Sequence, residues 1–280
     1  KLLFDTLKKN RKKIILLKNI DNFLNNLKKK FTVILSIGST FLIKDTIIEK
    51  FKPFLFNCHN TPLPNFRGGA NSTYRLMNNN LEGATTIHFL TKTIDAGNIL
   101  LQKRYKIPEK IDLPYKLDNY IMLKALPLLC KFIIGVMKSN KLKSRKQKNM
   151  KSSYFPRLNT EIHGCINWDW EADDIKKFVK SFSYPYKGAF CYIGKNKVKI
   201  LNCKIKEKNK FNHPFMNGIV HRIDKLNYYV LAKKNILEFP KKYVFSKHKI
   251  KLGDRMYTRD KDLLRSKSER IKYTPQGIKR

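Results

Sequence analysis

The residues TVILSI at positions 32–37 form a continuous apolar run between a basic segment and Gly38. That pattern predicts a strand buried on both faces, as in a parallel sheet. KKIILL at 12–17 predicts an earlier strand of the same sheet, with a helix over 20–29 between the two. PFLFNCH, ending at His59, predicts a further strand, and residues 70–79 the helix that follows it. ATTIHFL (84–90) and NILLQKRYKI (98–107) predict a pair of strands joined by TKTIDAG. Residues 112–138 predict a long helix that lays its Leu/Ile face on the sheet. Strands alternating with helices give an α/β unit.

The stretch KSNKLKSRKQKNMKSS is polar, basic and without periodicity, and is read as a linker, assigned to 141–160. Beyond it the pattern changes. INWDW precedes a helix over 172–182, and then GAFCYI, KVKILNCKI, GIVHRI, YYVLA and ILEF follow as short strand-like runs. Strands at that spacing suggest a small β-barrel, placed at 161–256. Residues 257–280 are highly charged and are expected to be a frayed tail.

Composition narrows the class. A chain of 280 residues with 42% hydrophobic content builds one large domain or two modest ones rather than a disordered chain. The formal charge of +39 either draws phosphate-bearing partners such as tRNA, nucleotides or polyglutamylated cofactors, or merely coats the surface of a Lys- and Asn-rich chain. Cys58, Cys130, Cys165, Cys191 and Cys203 are odd in number and lack C-x-x-C spacing, which argues against a disulfide framework and a zinc site and suits the cytoplasm. No metal is expected. ALPLLCKFIIGVM is too short to span a bilayer, so no membrane insertion is expected. The chain begins at Lys1 rather than Met, so a piece is expected to precede it.

The candidate chemistry sits in FNCHNTPLPNFRGG, residues 56–69. In a strand, Asn57 and His59 point the same way while Cys58 points oppositely. At the carboxyl end of a parallel strand they overhang the crevice where open α/β sheets bind ligands. An Asn amide can donate to a developing oxyanion, and a His can move a proton. Asp95 lies in the TKTIDAG loop, and an Asp beside that His would orient it and favour its charged form. His88, His163, His213, His221 and His248 have no ligand spacing and are read as structural.

NCHNTPLPNFRGG followed by GATTIHFLTKTIDAGNILLQK resembles the signature of formyltransferases that use 10-formyltetrahydrofolate. INWDW and YPYKGAF resemble the start of that family's C-terminal domain, and the resemblance covers roughly residues 30–255. It implies an α/β, Rossmann-like formyltransferase domain at 1–140, followed by a small OB-like β-barrel. It also implies 10-formyltetrahydrofolate as formyl donor, with Asn57, His59 and Asp95 catalytic. By the same resemblance the donor lies against Phe41, Leu42 and Ile43, the loop Thr61, Pro62, Leu63 and Pro64, and the segment Thr91, Lys92, Thr93 and Ile94. Two departures stand out: Pro62 replaces the usual Leu, and the family's first strand with its glycine turn is expected before Lys1.

The acceptor is less defined. Gly68-Gly69-Ala70-Asn71 stands where enzymes acting on methionyl-tRNA usually read Gly-Ala-Ala-Pro, and TIHFLTKTIDAG resembles the amino-sugar enzymes. A nucleotide-linked amino sugar for surface polysaccharide is therefore the expected acceptor. Methionyl-tRNA is the alternative, and a non-catalytic RNA-binding protein the third reading. The sequence leaves the oligomeric state, a homodimer included, undetermined.

Overall fold

The structure, a computed structural model, describes residues 33–69, 71–138, 143–208, 213–275 and 277–279, together with Leu24 and Asn26. Leu24 and Asn26 are helical, within the helix expected over 20–29; the strand expected at 12–17 lies outside the described residues.

The first half runs β1 (Ile34–Ile37), α1 (Asp45–Phe51), β2 (Leu55–His59), β3 (Arg67–Gly68), α2 (Asn71–Met77), β4 (Glu82–Phe89), β5 (Ile99–Lys106) and α3 (Pro114–Lys138). Four of these strands make one sheet in the order β1-β2-β4-β5. β1 and β2 are parallel; β2–β4 and β4–β5 are antiparallel. Alternation along β2 decides which side chain goes where. Leu55 packs with Ile47, Ile48 and Phe51 of α1 on one face. Phe56 and Cys58 pack with Ile87 and with Ala125, Leu128, Leu129 and Phe132 of α3 on the other. Each such buried apolar side chain contributes about 1.5–3 kcal/mol, and together they fix the strand whose end carries Asn57 and His59.

α3 corrects one expectation. Because the helix continues through Pro114–Val136, it is long and apolar enough by length and composition to cross a membrane, although the shorter run within it is not. Its buried face is the stripe on the sheet described above, while Met122, Leu123, Leu126, Ile133 and Ile134 are exposed.

The second half runs β6 (Tyr154–Phe155), α4 (Thr160–His163), α5 (Ala172–Ser181), β7 (Ala189–Ile193), β8 (Asn196–Ile200), β9 (Lys204–Lys208), β10 (Val220–Ile223), β11 (Asn227–Ala232), β12 (Asn235–Pro240), β13 (Val244–Ser246), α6 (Asp260–Ser268), β14 (Lys272–Thr274) and β15 (Gly277–Lys279). α5 forms because Ala172, Ile175, Phe178 and Val179 recur on one face, with Asp173 and Asp174 in its first turn and Lys180 in its last complementing the helix dipole. That face buries against Ala189, Cys191 and Ile193 of β7, Val198 and Ile200 of β8, Val230 of β11, and Leu237 and Phe239 of β12.

The strands expected to close a barrel form two open sheets among the described residues, β10-β11-β12-β9 and β13-β8-β7. KVKILNCKI, read as one strand, divides between them: β8 joins one sheet and β9 the other, with a break at 201–203.

Two further expectations change. The described part of the basic linker is packed rather than free. Arg145 exchanges backbone hydrogen bonds with Ile99, Gln147 is 5% exposed, and β6 pairs in parallel with β3. The charged tail is folded too: α6 is followed by the β14–β15 hairpin, and the Leu42 N–H donates to the Thr274 carbonyl at 3.0 Å. Backbone pairing with distant partners orders both stretches, and such pairing needs no apolar periodicity.

Candidate active site

The carboxyl end of β2 and the loop between β4 and β5 meet over a pocket of about 300 Å³. Asn57 and His59 project together from β2, as their spacing requires. Asp95 reaches them because the loop turns back on itself. Asp95 has φ +52°, a left-handed conformation that Asp tolerates better than most residues. Gly97 is required two residues on, since a Cβ there would collide with the Phe89 carbonyl.

The Asp95 carboxylate is 10% exposed and gathers the site. Asn57 Nδ2 donates to its Oδ1 at 3.1 Å, and the Gly68 N–H donates to its Oδ2 at 2.8 Å. His59 Nδ1 lies 3.6 Å from Oδ2, and His88 Nε2 lies 3.6 Å from Oδ1. Burial alone would raise this carboxyl; the His59 charge and the Gly68 N–H outweigh it and hold it at about 2, so it stays ionised at neutral pH.

Hydrogen-bond polarity assigns the imidazoles. His59 Nε2 lies 2.8 Å from the Phe66 carbonyl, which can only accept, so Nε2–H donates there and Nδ1 is the nitrogen left for proton work. His88 Nδ1–H donates to the Phe89 carbonyl at 2.8 Å, so its Nε2 accepts from Asn57 Nδ2 at 3.2 Å. Both Asn57 amide hydrogens are therefore engaged, one by Asp95 and one by His88. To donate to a developing oxyanion, Asn57 must release one of them.

His88, read from sequence as structural, belongs to this cluster. It is 1% exposed, lines the pocket and stands directly opposite Asn57 in the β2–β4 register. A His inside the apolar and β-branched run ATTIHFL was the available signal. The partner it faces depends on a register that the sequence does not display.

Of the residues implied for the formyl donor, Phe41, Leu42, Ile43, Thr91, Lys92 and Ile94 line the pocket. Thr61, Pro62, Leu63, Pro64 and Thr93 do not. The proline loop sits behind the site as a buttress. The Thr61 carbonyl accepts from Thr86 Oγ1 at 2.7 Å, and the Leu63 carbonyl from Gln102 Nε2 at 2.9 Å. Thr61 Oγ1 donates to the same Phe66 carbonyl that anchors His59, at 3.2 Å. Thr93 is exposed, and its carbonyl accepts from Thr91 Oγ1 at 2.9 Å.

Residues outside the predicted set complete the walls. Gln147 ties two parts of the site together: its Oε1 accepts from Arg67 (2.7 Å from Nη2), and its Nε2 donates to the Asp95 and Gly97 carbonyls at 2.8 and 2.7 Å. Arg157 and Tyr273 line the pocket, Arg157 Nη1 donating to Tyr273 Oη at 3.2 Å. They explain the paired glycines. A Cβ on Gly68, which has φ +92°, would collide with the Phe155 carbonyl and the Tyr154 ring; one on Gly69 would collide with Tyr273 Oη and Arg157 Cβ. Among the described residues no group of His, Cys, Asp and Glu is arranged to hold a metal ion.

Similarity to known proteins agrees with this geometry. Residues 14–119 match the model of the formyl transferase family and residues 160–254 that of the formyl transferase C-terminal domain. A methionyl-tRNA formyltransferase of Clostridium tetani (strain Massachusetts / E88) is 28% identical over 225 residues, covering 79% of this chain and 70% of that protein. The bifunctional polymyxin resistance protein ArnA of Wigglesworthia glossinidia brevipalpis is 31% identical over 220 residues, and the match spans 73% of this chain but 32% of ArnA. In fold, the chain is similar to WlaRD, a sugar 3N-formyl transferase solved in the presence of dTDP and 5-N-formyl-THF. The TM-score is 0.59 at 24% identity, over 85% of this chain and 81% of the other. It is likewise similar to the N-formyltransferase of Helicobacter canadensis in complex with folinic acid and dTDP-3-aminofucose. There the TM-score is 0.60 at 23% identity, over 84% and 80% of the two chains. With both family models placed in order along one chain, the protein belongs to the formyltransferase family of enzymes.

Proposed function

We propose that this chain transfers a formyl group from 10-formyltetrahydrofolate to a primary amine, and that the amine is carried by a nucleotide-linked amino sugar. One observation carries the reading. A buried, ionised Asp95 holds Asn57 and His59 at the end of a pocket whose other wall is apolar. Phe41, Leu42, Ile43, Leu90 and Ile94 fit the donor, offering apolar surface to a flat pterin ring.

In the transfer, the acceptor nitrogen bonds to the formyl carbon as that carbon's bond to N10 breaks. The acceptor loses one proton and N10 gains one. His59, through Nδ1, takes the first proton and returns one to N10, while its Nε2–H stays on the Phe66 carbonyl. Asp95 orients the ring and offsets the charge it carries between those two events. Asn57 turns one amide hydrogen from its resting partner to the formyl oxygen, where negative charge develops.

The amino-sugar acceptor is supported by the two sugar enzymes of shared fold and by Gly68-Gly69, since a Cβ at Gly68 would collide with the Phe155 carbonyl and Tyr154, and one at Gly69 with Tyr273 and Arg157. A second reading, methionyl-tRNA as acceptor, is favoured by the Clostridium tetani relative and by the charge of +39. The test incubates purified protein and 10-formyltetrahydrofolate with a panel of nucleotide-linked 3-amino and 4-amino sugars, and separately with charged initiator tRNA, following tetrahydrofolate release. Sugar turnover without formylated tRNA is the expected result. Formylated methionyl-tRNA with no sugar turnover would replace this reading by the second.

A further inference from the structure

Arg157 and Tyr273 line the pocket, Tyr154 packs on its Gly68, and the charge of Arg270 reaches Tyr154; all four lie outside the matched family segments, 14–119 and 160–254. Tyr154 and Arg157 come from the supposed linker, Arg270 and Tyr273 from the supposed tail. They are brought together by β6 pairing with β3, and by the Thr274 carbonyl holding Leu42 of the pocket's apolar rim.

Their chemistry is uniform. Arg157 Nη1 donates to Tyr273 Oη at 3.2 Å, with its guanidinium 5.7 Å from that ring's centroid. Among the described residues Arg157 makes no other side-chain hydrogen bond, and no carboxylate pairs with Arg157 or Arg270, although many lysines elsewhere on the surface are so paired. Tyr154 is 54% exposed and presents an aromatic ring next to Gly68. Burial, then Tyr273 and Asp95, push its phenol up, and Arg270 is near enough for its charge to oppose them. Two guanidinium groups with free donors beside a half-open aromatic ring suit an anion with several oxygens joined to a flat ring.

We propose that Tyr154, Arg157, Arg270 and Tyr273 form the binding site for the nucleoside diphosphate of the acceptor. Arg157 takes the diphosphate at the pocket wall, Arg270 adds a second charge, and Tyr154 stacks with the base. Tyr273 sets the Arg157 fork and closes the space above Gly69. The proposal rests on the sugar-nucleotide reading above but is tested without turnover.

The experiment titrates the full chain with dTDP and with UDP by calorimetry, and with folinic acid as an independent probe of the donor half. Wild type, Arg157→Gln, Arg270→Gln and Tyr273→Phe are compared. Loss of a charge-assisted contact is expected to weaken dTDP or UDP binding roughly 10- to 100-fold in Arg157→Gln, with a smaller loss in Arg270→Gln. Folinic acid binding stays within about twofold of wild type. Tyr273→Phe, which keeps the ring, guards against misfolding: it should bind folinic acid normally and the nucleotide several-fold more weakly. Absence of nucleoside diphosphate binding by wild type overturns the proposal, and so does binding unchanged by Arg157→Gln. Parallel loss of folinic acid also overturns it, since the variant would then have disturbed the pocket as a whole. Loss of initiator tRNA binding in Arg157→Gln, without nucleotide binding by wild type, would assign the patch to RNA and overturn it as well. If nucleotide binding depends on Arg157 yet no sugar is formylated, the site stands and the acceptor reading alone fails.

Discussion

Asp95→Asn is the sharpest perturbation of the proposed chemistry. The side chain keeps its size, but the pair of acceptor oxygens becomes one oxygen and one amide. Asp95 Oδ1 and Oδ2 face donors from Asn57 and Gly68, so in the variant one of those donors meets an NH2. His59 Nδ1, 3.6 Å away, loses its anion. The carboxyl is lowered from 3.8 to about 2, and at roughly 1.4 kcal/mol per unit its partners contribute about 2 kcal/mol of stability at neutral pH. The folded-state value lies below the unfolded one. That contribution is therefore complete above about pH 4 and is lost as pH falls toward 2. Denaturant unfolding should show the variant weaker by that amount at pH 7, with the gap narrowing below about pH 4 and closing near pH 2. In turnover, followed as tetrahydrofolate release, kcat should fall by about 10² to 10⁴, the usual worth of placed proton transfer. Folinic acid binding should change little, because Phe41, Leu42 and Ile43 lie on the other wall. If the variant keeps more than about a third of wild-type kcat, Asp95 is a loop-shaping residue and the proton-transfer assignment fails.

Gln147→Leu removes the acceptor for Arg67 and the donor for two loop carbonyls, so the protein should lose about 2–4 kcal/mol in denaturant unfolding; changing Lys143, Lys146 and Lys148 to Gln should cost under about 0.5 kcal/mol. His88→Phe fills the buried space but removes the partner that fixes the orientation of the Asn57 amide, and should lower kcat about 10-fold with KM for the formyl donor little changed; an unchanged kcat would return His88 to a packing role. Of the five thiols, Cys130 is exposed, whereas burial pushes Cys58 to about 11, Cys203 to about 12 and Cys191 higher still, so a thiol reagent at pH 8 should modify one cysteine in the native protein and five after denaturation.

What the sequence showed and what it hid divide along a physical line. TVILSI, PFLFNCH and ATTIHFL announce β1, β2 and β4 because each must bury apolar side chains at a short period, and burial leaves that mark on residue order. The convergence of Asn57, His59 and Asp95 was legible for a related reason. Period two puts the first two on one face, and Asp-Ala-Gly allows a loop to fold back. Gln147 and Tyr273 left no such mark. Each is held by polar contacts to residues fifty or more positions away, Gln147 to Arg67, Asp95 and Gly97 and Tyr273 to Arg157, and a lone Gln in a lysine-rich run looks like solvent-facing chain. The barrel expectation is left unconfirmed for a similar reason: the short runs do not display the break at 201–203, which splits KVKILNCKI into β8 and β9 and sends each to a different sheet.

The same division separates what the enzyme does from what it acts upon. Asn57, His59, His88 and Asp95 are held by β2, β4 and the loop between β4 and β5, elements built by local burial and register, so the proposed catalytic cluster stands on the core of the first sheet. The proposed acceptor wall is held by β6 and the β14–β15 hairpin, which lean on Gly68, Gly69 and Leu42 through close backbone approach. That wall meets the Asp95 cluster at Gly68, whose N–H donates to Asp95 Oδ2 at 2.8 Å. With the acceptor wall as proposed, Gly68-Gly69 bears on the acceptor for a steric reason: only residues without a Cβ leave room there for Tyr154, Tyr273 and Arg157.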